Sequence, residues 1–140
     1  MLLRVFKITT YLWVMQLDFI DNLNEYGDNV VRLYNFDMSE AIKFRDALSD
    51  FLSSGAPILD LSTLDFIEER NCKLSLAIAD EDLGIVTRDK TVFYCAMTQK
   101  GFKGILELIE PFCEKETKGY KMLYDIDSLT DFLFSPAGTW

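Results

Sequence analysis

The sequence predicts an α+β fold: a single domain over residues 1–140, mainly antiparallel sheet of about 5–7 strands, with two principal helices packed on it. Three observations predict it. Several short runs alternate apolar and polar residues at the strand period of two, while two segments repeat apolar residues at steps of three and four. The chain is 49% hydrophobic over 140 residues, enough for one packed core. No repeat, low-complexity tract or linker-like shift in composition divides it.

The elements follow in order. Leu2–Val14 is rich in β-branched and aromatic residues and apolar on both parities, as in a strand covered on both faces for part of its length. Arg4 and Lys7 interrupt it and no small-residue cleavage site follows Met15, so it reads as a strand rather than a signal peptide. Its apolar run is also far short of the ~20 residues that span a bilayer. Asp18–Asp28, with Asn22, Asn24 and Gly27 among several acids, reads as a loop, and Asn29–Phe36 as a second strand. Asp37 stands three residues before Glu40, a capping-box spacing. Ala41, Phe44, Leu48, Phe51 and Leu52 then form one helical stripe, which Gly55 ends and Pro57 keeps from resuming.

Pro57–Leu61 reads as a short edge strand, and Leu64, Phe66 and Ile67 anchor the segment after it. Cys72, Leu74, Leu76 and Ile78 alternate with smaller or charged residues, the pattern of a half-buried strand. Asp80–Gly84 makes a turn, and Ile85–Arg88 with Thr91–Met97 complete an expected antiparallel meander. The last of these strands is apolar on both parities, which places it centrally. Thr98 caps a second helix with the stripe Phe102, Ile105, Leu106 and Ile109, ended or bent by Pro111; Gly101 and Gly104 suggest close packing against a sheet. Lys115–Gly119 reads as a turn, Tyr120–Tyr124 as a strand, Ser128–Phe134 as a short helix capped by Asp127, and Ser135–Trp140 as an irregular tail.

Charge and composition bound the function. The net charge is −9, and the 14 Lys and Arg residues form no basic patch, which disfavours nucleic acid and anionic membrane surfaces. Histidine is absent, which removes the commonest general acid–base group and transition-metal ligand. Cys72, Cys95 and Cys113 form no C-x-x-C pair and read as free, buried thiols in a reducing, cytoplasmic compartment. Cys95, inside VFYCAM and without a His to activate it, reads as a core thiol rather than a nucleophile.

Candidate chemistry is sparse. Asp80-x-Asp82-x-Gly84 begins like a calcium loop, but Ile85 and Thr91 hold the positions where an EF-hand needs Gly and Glu. Asp125 and Asp127 read as turn and helix cap rather than metal ligands, and no glycine-rich phosphate loop occurs. Lys100–Gly104, at a helix start, offers a weak anion site. The densest charge lies between Asp60 and Asp82: seven acids against Arg70 and Lys73, more than half of the net negative charge. Asp65, Glu68, Glu69, Asp80, Glu81 and Asp82 are therefore the candidate partner-binding residues, with solvated turns as the plainer account.

The expectation is a non-catalytic intracellular protein-interaction domain, with no cofactor and no metal. Its partner would be a basic protein met by an acidic face, as in inhibitor or immunity-type proteins, or a second copy in a homodimer. The alternative is a small-ligand binder, or a carboxylate- or Tyr-based enzyme, with an aromatic-lined pocket.

Overall fold

The computed structural model describes residues 14–22, 27–126 and 129–139. Among them nine strands and two helices follow in the order β1 (Met15–Ile20), β2 (Asn29–Phe36), α1 (Met38–Ser54), β3 (Ile58–Asp60), β4 (Ile67–Glu69), β5 (Lys73–Ile78), β6 (Gly84–Thr87), β7 (Val92–Met97), α2 (Gln99–Glu114), β8 (Lys121–Tyr124) and β9 (Thr130–Pro136). The class is α+β and mostly sheet. The strands form two mixed sheets, a five-stranded one in the order β4-β1-β2-β9-β8 and a four-stranded one in the order β3-β5-β7-β6. No helix among the described residues is long and apolar enough to cross a membrane. The expected strand Leu2–Val14 lies outside the described residues except for Val14, which is not in a strand.

Several elements differ from the sequence reading. Part of the expected loop Asp18–Asp28 is strand: β1 carries Asp18 through Ile20, with Asp18 directly opposite Arg32 of β2. The pair is bidentate, at 2.8 and 3.1 Å, and the guanidinium stacks 3.8 Å over the Tyr34 ring, so this acid belongs to a sheet surface. The expected helix at Ser128–Phe134 is β9 from Thr130 onward. This strand lies between β2 (parallel) and β8 (antiparallel) and is buried on both faces, which erases the alternation that marks a strand. The expected meander is interrupted as well: β7 sits between β5 and β6, parallel to β5 and antiparallel to β6. Its central place is as expected. Pro111 also does not end α2, which runs to Glu114 with Phe112 and Cys113 buried.

The helix starts follow their residues. Asp37 Oδ1 accepts the Glu40 N–H at 3.0 Å, and Glu40 Oε1 accepts the Asp37 N–H at 3.2 Å. Glu40 Oε2 also accepts the Met15 N–H at 3.2 Å, tying the start of β1 to that of α1. Gly55, at φ 78°, closes α1 in the left-handed conformation. One buried cluster joins both sheets and both helices. Phe134 of β9 meets Phe36, Phe44 and Phe112, Phe51 of α1 meets Phe102 of α2, and Phe19 of β1 meets Phe93 of β7 with centroids 4.8 Å apart.

Candidate functional site

The sequence groups six acids; the structure separates them. Asp65, Glu68 and Glu69 lie at β4, where Glu69 reaches Lys73 at the start of β5 at 3.2 Å. Asp80, Glu81 and Asp82 follow the other end of β5, about 17 Å away at the rise of a strand. Glu68 accepts hydrogen bonds from Gln16 at 2.6 Å and Arg70 at 3.3 Å, and the Gln16 bond first of all lowers its pKa. Glu69 leaves its second oxygen, Oε2, buried with no hydrogen-bond partner among the described residues.

Asp82 is committed to the start of α2. Because β7 enters between β5 and β6, the turn joining those strands must pass over the end of β7. It is held there by Ala79 N–H to Met97 O at 2.8 Å and Leu83 N–H to Ala96 O at 2.9 Å. Asp82 Oδ1 then accepts both the N–H and the hydroxyl of Thr98, each at 2.8 Å. The Tyr124 hydroxyl donates to the Asp82 carbonyl at 3.0 Å, joining β8 of the other sheet to the same turn. The helix start that the sequence offers to an external anion thus faces the chain's own carboxylate. Gly101 makes room for it, since a Cβ there would lie 2.9 Å from Asp82 Cγ and from Met97 Cε. Asp80 and Glu81 remain exposed, with no side-chain partner among the described residues.

An apolar surface that the sequence reading did not single out is the outer face of the four-stranded sheet, open at Ile58, Val86, Val92 and Tyr94 and closed at Ala96 and Gly84, which are buried. Pairing places Ile58, Ala77, Ala96 and Gly84 in one row across it, Asp60, Ser75, Tyr94 and Val86 in the next outward row, and Lys73 beside Val92 in a third. The rows between them, such as Leu76 with Cys95 and Leu74 with Phe93, face the core. Ile58, Val86, Val92 and Tyr94 are 39% to 51% exposed. A shallow hollow on this face is lined by Val86, Thr87, Arg88, Asp89, Val92 and Tyr94. The signal was present in VFYCAM, whose second apolar parity reads as burial in a central strand but here meets solvent at Val92 and Tyr94.

A second hollow, of about 260 Å³, lies at the start of α1 between Phe36, Asp37, Met38, Phe112 and Glu116. It is small for a ligand pocket, and its carboxylates are already engaged: Asp37 caps α1 and Glu116 accepts the Met38 N–H at 2.8 Å. Asp125 lies near Asp131, whose carboxyl is pushed up by burial and then by Asp125 and Asp28; Asp127 lies outside the described residues. Among the described residues no three His, Cys, Asp or Glu side chains are grouped to hold a metal ion. Cys72, Cys95 and Cys113 are free and buried, and burial pushes their thiols up to about 12, 12 and 11.

No family model, curated protein or solved structure matches this chain.

Proposed function

We propose that the chain is a non-catalytic protein-interaction domain whose contact surface is the outer face of the four-stranded sheet. The observation that carries this is the set of large apolar side chains Ile58, Val86, Val92 and Tyr94 left in solvent on one face. Of the acids expected to meet a partner, Asp80 and Glu81, in the turn after β5, are left exposed with no side-chain partner among the described residues. The carboxylates at β4 contribute little to this reading, because Glu68 and Glu69 are engaged by Gln16, Arg70 and Lys73. Three buried, unactivated thiols suit a reducing, cytoplasmic compartment.

The test is site-specific photo-cross-linking in native cells, with a benzophenone amino acid in place of Tyr94 and, as control, in place of Lys43 on the exposed side of α1. Discrete protein adducts are expected from position 94 and none from position 43. Equal or absent cross-linking at position 94 overturns the proposal.

A further inference from the structure

We propose that residues 1–13 dock across the outer face of the five-stranded sheet and cover its rows on β2 and β9. This face differs from that of the four-stranded sheet. Its apolar residues are closed off, although both described helices and the other sheet meet it from the opposite side.

Strand pairing defines the face: Tyr34 stands beside Ser135, Arg32 beside Leu133, and Val30 beside Asp131. The residues between them, Val31, Leu33, Phe132 and Phe134, belong to the buried cluster that joins both sheets and both helices. Val30 and Leu133 do not belong to that cluster, yet each is only 1% exposed, and Ser135 is 2% exposed. Side chains stand perpendicular to a sheet, so neighbours within it shield their flanks and leave their tips open. The tips of Val30 and Leu133 are therefore covered by chain lying outside the sheet. Asp131 gives the same sign, since burial is the first cause of its raised carboxyl pKa, ahead of Asp125 and Asp28.

Reach and attachment select the segment. Both helices and β7 meet this sheet on its inner side, at Phe134, Phe36 and Phe19. From the Val30 row to the Ser135 row the cover must extend four residues along β9, about 13 Å. Beyond the described residues, 23–26 must return to β2, which limits their reach to about 7 Å. Segments 127–128 and 140 are shorter still. Residues 1–13 reach up to about 43 Å when extended, and they join this sheet directly, since Val14 leads into β1 at Met15. Their apolar residues fall on both parities, and their only charged side chains are Arg4 and Lys7. Those cations suit a face on which Asp131 stands near two further carboxylates.

The experiment puts a benzophenone amino acid in place of Phe6 in the full purified chain at low micromolar concentration, with circular dichroism to confirm folding. After irradiation the monomer band is digested and its adducts are mapped by mass spectrometry. Adducts are expected on Asn29–Phe36, Lys121–Tyr124 or Thr130–Pro136. W140F supplies a second measurement, because Trp13 is then the sole tryptophan. Its emission should be blue-shifted and poorly quenched by iodide in the folded chain, and should lose both properties in denaturant. Adducts on the four-stranded sheet or the helices, adducts only between molecules, no adduct, or the emission of a water-exposed indole overturns the proposal. Cross-linking at position 94 reads the other sheet, so either surface can fail without the other.

Discussion

Asp82 caps α2 from outside the helix, its Oδ1 lying 2.8 Å from both the backbone nitrogen and the hydroxyl of Thr98, sixteen residues on. Thr98 in turn accepts the Gly101 N–H at 2.9 Å, so the helix start is a relay of two caps. Asp82→Ala should cost about 1–2 kcal/mol in denaturant unfolding. Gly101→Ala would gain about 1 kcal/mol from helix propensity alone, but the close approach of Asp82 Cγ should reverse that sign. In the Asp82→Ala background the same change should become much less harmful. Strict additivity of the two substitutions would refute the close-packing account.

Glu40 links stability to pH. Burial, with a smaller push from Asp37, raises its carboxyl from 4.5 to about 7, against the Asp37 and Met15 N–H groups and Lys43, which favour the charged form. An acid that keeps its proton longer when folded adds stability below its unfolded pKa and loses it as pH rises through the folded one. The stability of wild type relative to Glu40→Gln should therefore fall between pH 4.5 and about 7 and level off above. The pH-dependent part should amount to about 3 kcal/mol, superimposed on a constant offset for the N–H bond that the amide cannot accept. Unfolding curves that keep the same separation from pH 5 to 8 would contradict this.

The cross-strand pair of Asp18 and Arg32 should act as a unit. Both side chains are 14% exposed, so removing Asp18 takes a bidentate carboxylate from a partly desolvated guanidinium. Asp18→Ala should cost about 2–3 kcal/mol. Arg32→Lys, which keeps the charge but loses the fork and the flat stacking surface on Tyr34, should cost about 1 kcal/mol. Thermal or denaturant unfolding decides it: losses near zero would class the pair with ordinary surface bridges.

Native thiols should be slow. With all three thiols pushed to about 11 or 12 by burial, little thiolate exists at pH 8, and an aromatic disulfide reagent should release all three equivalents only in denaturant. One fast equivalent from folded protein would show a reactive cysteine that this structure does not contain.

The elements most legible in the sequence are those whose side chains see one buried side. In α1, Asp37, Glu40, the apolar stripe and Gly55 each state their role locally, and Cys72, Leu74 and Leu76 mark β5 by alternation. In β9 the run Phe132-Leu133-Phe134 has no exposed parity, and with Leu129 it fits helical spacing as well as strand. The insertion of β7 between β5 and β6 was illegible for another reason: both orders use the same turns, and only long-range pairing separates them. The acids illustrate the same limit. Closeness in sequence suggested one patch, whereas β5 is a rigid spacer that holds Glu69 and Asp80 apart.

The place of β9 has a consequence for how the chain is made. Strand β2 receives β9 as its parallel neighbour more than ninety residues later, and among the described residues β8 joins that sheet through β9. During synthesis β2 must therefore wait with one bare edge until Thr130–Pro136 has left the ribosome. A nascent chain arrested before that point presents an unpaired strand, a ready template for aggregation. The last of the described strands to emerge closes the five-stranded sheet.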